Sequence, residues 1–194
     1  LLHTIACSID KCTKCRLCKW RTRAVPGAGS CTAEIVFVGE APGYNEDKQG
    51  LPFVGRAGQL LSHLLAENKI KREAVWVGNI IKCRPPDNRD PLVDEIRACE
   101  PYLEKQIEVI NPKIIVPLGR FAMNHFIKQG TISENHGKVF KIKGYFVLPL
   151  YHPAAALRNA NVLSILKKDF KVINSVLKGE ATVIEPEKEV ENEN

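Results

Sequence analysis

Four of the chain's seven cysteines fall as two separated pairs, Cys12 with Cys15 and Cys83 with Cys99. A Cys-x-x-Cys step sets two thiolates on one tight turn, where both can point at a single metal centre, and the other donors must come from elsewhere in the fold. Cys83 runs into Arg84-Pro85-Pro86, which cannot be helical, whereas Cys99 sits inside a helical pattern. Zinc and an iron-sulfur cubane both accept four thiolates, so the spacing leaves the metal open. Cys18 extends the first pair into a ferredoxin-like triple. An odd cysteine count without a secretory feature argues against a disulfide framework.

Such donors need elements to position them, and the chain alternates strand and helix patterns. Ile35–Val38, Val75–Val77, Ile114–Val116 and Phe146–Leu148 are short, apolar and largely β-branched or aromatic, as parallel strands buried on both faces are. Pro117, without a ladder donor, weakens the end of the third. Leu60, Leu61, Leu64 and Leu65 form one helical face. Ile96, Cys99, Leu103, Ile107 and Ile110 form another behind an Asp90-Pro91 start signal, and Leu163, Leu166, Phe170, Ile173 and Leu177 a closing helix. The reading is α/β: an open parallel sheet with helices on both faces.

Ligands bind such sheets outside the carboxyl ends of the strands. The residues there are Gly39-Glu40-Ala41-Pro42-Gly43 with Glu46 and Asp47, then Leu51-Pro52-Phe53-Val54-Gly55, after the first strand. Asn79 comes after the second strand, and Tyr151-His152-Pro153 after the fourth. A lone asparagine at a strand end is usually a cap and a lone His-Pro usually a turn. Here a carboxylate loop, an amide and an imidazole share one rim.

At 194 residues with 44% hydrophobic content the chain can bury a full core. No apolar run reaches membrane-spanning length and no signal-peptide core opens the sequence, so a soluble, intracellular (cytoplasmic) protein is expected. Net charge is +6, yet residues 180–194 carry six glutamates against Lys188, which leaves the preceding body near +11. That balance points to a polyanionic partner, nucleic acid first, and to residues 1–179 as one domain followed by an acidic disordered tail at 180–194.

Four ordered motifs carry a resemblance: Gly-Glu-Ala-Pro-Gly-x-x-Glu-Asp (39–47), Gly-x-Pro-Phe-Val-Gly-x-Ala-Gly (50–58), Asn-x-x-Lys-Cys-Arg-Pro-Pro-x-Asn-Arg (79–89) and His-Pro-x-x-x-Leu-Arg (152–158). Together with the cysteines they strongly resemble the family 4 uracil-DNA glycosylases, from about Cys12 to Phe170. The resemblance implies a three-layer α/β/α fold with a four-stranded parallel sheet and a 4Fe-4S cluster held by Cys12, Cys15, Cys83 and Cys99. Cys7, Cys18 and Cys31 are then bystanders. It implies a monomer that flips uracil out of single- or double-stranded DNA and hydrolyses the N-glycosidic bond, leaving an abasic site. Phe53 would be the platform for the base, Asn79 its polar reader, Gly39, Glu40 and Ala41 the pocket lining, and His152 the donor to the leaving base. The superfamily's water-holding aspartate is replaced by Ala41, as in family 4, so Glu46 is the favoured substitute, with Glu40 and Asp47 also available. Leu157 would be the wedge that fills the hole left in the duplex, with Ala156 equally well placed by spacing. Arg158, Arg84, Arg89, Arg56 and Lys82 would meet phosphates. A non-catalytic metal-bound nucleic-acid module, or an electron carrier, would explain the cysteines without the strand-end residues.

Overall fold

Backbone pairing at the middle of the fold is parallel and comes from the four apolar runs. In the computed structural model, which describes residues 1–128 and 130–185, the sheet has seven strands in the order β1-β3-β2-β4-β6-β5-β7. These are β1 (Ala28–Gly29), β2 (Ile35–Gly39), β3 (Trp76–Asn79), β4 (Ile114–Pro117), β5 (Val139–Ile142), β6 (Tyr145–Val147) and β7 (Val183–Ile184). Strands β3, β2, β4 and β6 pair in parallel, while β1 and β5 add antiparallel partners at either side. The sheet is therefore mixed and wider than the four parallel strands expected. Pro117 stays in the ladder, because its carbonyl still accepts from Leu150 N–H.

Alternation along the central strands divides the core into two layers. Ile35, Phe37, Val75, Val77, Ile114 and Val116 face one side with Leu61, Leu64 and Leu65 of the helix Arg56–Glu67, and with Leu166, Phe170 and Ile173 near the carboxyl end. Val36, Val38, Trp76, Ile115 and Val147 face the other, against Leu103, Ile107 and Ile110 of the helix Val93–Ile110. Phe37 and Phe170 stack at 5.7 Å across the first layer. The closing helix is divided, into Ala160–Phe170 and Val172–Leu177. No helix among the described residues is long and apolar enough to cross a membrane.

Two boundaries differ from the sequence reading. Residues 183–184 pair with β5, so the sheet extends past residue 179; the rest of the acidic tail, 186–194, lies outside the described residues. The helix behind Asp90-Pro91 begins only at Val93, where the fully buried Glu95 reaches back to accept Leu92 N–H at 2.9 Å and receives both guanidinium nitrogens of Arg89, at 2.6 and 2.9 Å.

The Arg89 guanidinium holds the Glu95 carboxyl below its ordinary 4.5. Glu95→Ala should cost about 2 kcal/mol, less than for a fully buried pair because Arg89 keeps access to water. A lowered carboxyl pKa adds stability that is complete above the ordinary value and lost as pH falls through the folded one. Thermal unfolding should therefore show a gap between wild type and variant that is full at neutral pH and narrows below about pH 4.5.

Candidate functional site

Gly39 and Asn79, the last residues of β2 and β3, are direct partners in the parallel register. A Cβ on Gly39 would lie 2.4 Å from Asn79 Oδ1 and 2.7 Å from Phe53 Cζ, so the amide and the ring converge on a place that only glycine leaves open. Phe53 holds a left-handed φ of +54°, and its carbonyl packs so tightly on Gly58 that a Cβ there would stand 1.7 Å away. The chain after β6 is brought to the same rim by a bridge between Leu118 and Leu150. It delivers His152, whose ring stacks with Phe53 at 5.8 Å between centroids and 30° between planes. The Asn79 side chain is buried and makes no hydrogen bond among the described residues.

His152 Nδ1 accepts the Ala154 N–H at 3.1 Å, which leaves the ring proton on Nε2. Burial pushes this imidazole down to about 4, against the opposing pull of Glu46, so at neutral pH it is an uncharged Nε2–H donor.

The three candidate acids are not brought together. Glu46 stands at the pocket wall, close enough for its charge to act on His152, and its Oε1 accepts Val54 N–H at 2.9 Å and Gly55 N–H at 2.8 Å. That carboxylate pins the loop bearing Phe53 and sits at the start of the helix Arg56–Glu67. Asp47 is buried and turns away to accept Thr22 N–H at 2.8 Å, which makes it a tether for the amino-terminal segment. Glu40 faces Asp90 and Arg120; burial first, then Asp90, raises its carboxyl, and Arg120 opposes them. Ala41 offers no polar side chain and packs against the second core layer.

Cys12, Cys15, Cys83 and Cys99 line one recess with Arg21, Lys82 and Tyr102. Cys18 lines it too, a neighbour that the resemblance set aside, whereas Cys7 and Cys31 are exposed. Arg21 donates to Cys83 Sγ at 3.1 Å and to the Asp10 carbonyl at 2.7 Å, and the Lys82 N–H donates to Cys99 Sγ at 3.3 Å. Burial pushes the Cys83 thiol up and Cys99 up to about 11. Thiolates in such a place require a cation, which is the chemistry a metal centre supplies. Among the described residues, no three His, Cys, Asp or Glu side chains gather to hold a single metal ion.

The basic candidates divide. Arg56 and Arg158 are exposed beside the site loops, and Leu157 is exposed while Ala156 is buried, which favours Leu157 as the projecting residue. Arg84 donates to Asn88 Oδ1 and lies 5.3 Å from the ring centroid of the exposed Tyr44, an aromatic that the sequence motifs did not single out. One expectation fails here, since Lys82 is buried at 1% exposure and cannot meet a phosphate; Arg89 pairs with Glu95 while its side chain stays partly exposed.

A family model described as the uracil DNA glycosylase superfamily matches residues 26–178. Among similar proteins, the type-4 uracil-DNA glycosylase of Sulfurisphaera tokodaii is 49% identical over 90% of this chain and 84% of its own length. That of Archaeoglobus fulgidus is 46% identical over 90% and 92%, and that of Thermotoga maritima 43% over 93% and 96%.

The tautomer of His152 is directly testable. Nitrogen NMR of the imidazole should show a neutral ring protonated at Nε2 from neutral pH down to about pH 5, with charging only near about 4. Titration at the ordinary 6.5 would show that the ring is not sequestered as described.

Proposed function

The chain belongs to the uracil DNA glycosylase superfamily, and from that membership we propose that Phe53, Asn79 and His152 receive an extruded uracil. Its activity is that of a DNA repair glycosylase, hydrolysing the N-glycosidic bond of uracil in DNA. The observation that carries the site assignment is the convergence of the Asn79 amide and the Phe53 ring over a bare Gly39, with a neutral imidazole opposite.

In a duplex the target bond is covered until the nucleotide swings out of the stack. Phe53 then offers a flat apolar face, and Asn79, whose amide has no other partner among the described residues, donates to uracil O4 and accepts from N3–H. Cytosine presents the opposite pattern at both positions and leaves a buried amide badly paired. Negative charge grows on the base as it leaves, and His152 Nε2–H donates to O2, a bond worth more in the transition state than in the ground state. On the sugar side, Glu46 keeps one oxygen bound to Val54 and Gly55, and its second oxygen remains to orient a water and to face an oxocarbenium-like sugar. Glu40, turned toward Arg120, is the secondary choice. Leu157 is the wedge, and Arg158, Arg84 and Arg56 steady the phosphates of single- or double-stranded DNA, bound by a monomer.

Cys12, Cys15, Cys83 and Cys99 would hold a 4Fe-4S cluster. Bound there, it would cross-link the amino-terminal segment, the loop after β3 and the helix Val93–Ile110, its excess negative charge offset by Arg21 and Lys82. Neither a binding-only module nor an electron carrier gives a reason for the pocket.

Release of free uracil from a uracil-containing oligonucleotide tests the reading. Asn79→Asp and Gly39→Ala should each lower single-turnover release by orders of magnitude while DNA binding survives, and His152→Ala should lower it by about a hundredfold to a thousandfold. Visible absorption should disappear in Cys83→Ala and persist in Cys31→Ala. Equal loss in the two cysteine variants defeats the ligand assignment.

A further inference from the structure

Lys82 is buried at 1% exposure within the second core layer, where an apolar side chain of the same length would pack as well. Its Nζ donates to the Asn79 carbonyl at 2.8 Å and stands 5.6 Å from the centroid of the Trp76 ring. Its own N–H donates to Cys99 Sγ at 3.3 Å, and its carbonyl accepts Val25 N–H at 2.8 Å. One residue thus touches the cysteine recess through its backbone and the end of β3 through its side chain.

The ladder explains why that donor is needed. Ile80 N–H, on the β2 side of β3, bonds the Gly39 carbonyl, so the Asn79 carbonyl points the other way, toward β1. Strand β1 pairs Ala28 with Val77 and Gly29 with Trp76 and ends there. Continued, that register would set Pro26, which has no N–H, opposite Asn79. The ammonium of Lys82 replaces the missing ladder donor at the residue whose side chain faces the base.

We propose that Lys82 is a positioning residue: it locks the Asn79 backbone so that the amide presents to the base, and it ties that geometry to the occupancy of the cysteine recess. The inference rests on the reading of Asn79 as the base reader.

The test compares wild type with Lys82→Met, which keeps the unbranched stem, one atom shorter, and loses the donor. Visible absorption of the reconstituted protein reports cluster content, thermal unfolding reports folding, and single-turnover release is normalised to cluster content. The expected result is intact absorption, release slowed between about tenfold and a hundredfold, the usual cost of misplacing an orienting group, inhibition by free uracil weakened to a similar degree, and affinity for abasic-site DNA unchanged. Wild-type release per cluster-loaded molecule overturns the proposal and leaves Lys82 as a residue of the recess alone. If Lys82→Met does not fold, Lys82→Gln, whose amide ends one bond short of the Asn79 carbonyl, carries the same expectations. Failure of both to fold also counts against the proposal, since Lys82 is then a packing residue. Absence of uracil release from wild type itself would instead defeat the underlying assignment.

Discussion

The parallel register between β2 and β3 governs the molecule's chemistry, because it fixes which residues emerge together at the rim. Gly39 and Asn79 are paired partners, and the bonds from Ile80 N–H to the Gly39 carbonyl and from Ile81 N–H to the Glu40 carbonyl continue the alignment past the strands. A slip of one residue would turn Asn79 to the opposite face of the sheet and replace Gly39 with a residue bearing a side chain. The two apolar layers that bury every residue of β2, β3 and β4 make such a slip costly, so the core holds the pocket in register. Glu46 completes the frame by binding two N–H groups of the Phe53 loop, and the Leu118–Leu150 bridge brings in His152.

Much of this was legible in the sequence for a definite physical reason. A strand buried on both faces must be apolar throughout, so the four central strands announced themselves, and the residues immediately after them had to lie on one edge. The resemblance supplied roles for Phe53, Asn79 and His152, and the structure sets Asn79 and Phe53 against Gly39 and stacks His152 with Phe53. The strands β1 and β7 span two residues each, too short to carry a period, and β5 is only partly buried, so the width of the sheet was hidden.

Charged residues were the least legible, because their roles depend on where long side chains end. Arg89 and Lys82 stood in a basic motif that suited phosphate binding, yet one caps a helix through Glu95 and the other fills the core. Glu46 and Asp47 are neighbours of like chemistry pointing in different directions. Cys18 completed a ferredoxin-like triple by spacing but was a bystander by the resemblance, and the turn after Cys15 carries it into the same recess.

That divergence of Glu46 and Asp47 bears on how the chain can change its length. Both belong to one short helix, Tyr44–Gln49, and successive residues on a helix point about 100° apart. One acid therefore serves the pocket loop and the next serves the amino-terminal segment, from a single rigid turn. An inserted or deleted residue within this turn would rotate one carboxylate off its partner while leaving hydrophobicity and net charge almost untouched. Such a lesion would be invisible to any composition-based comparison. Length variation among functional homologues should accordingly be absent from this helix, even though it is a surface segment of the kind that elsewhere absorbs insertions freely.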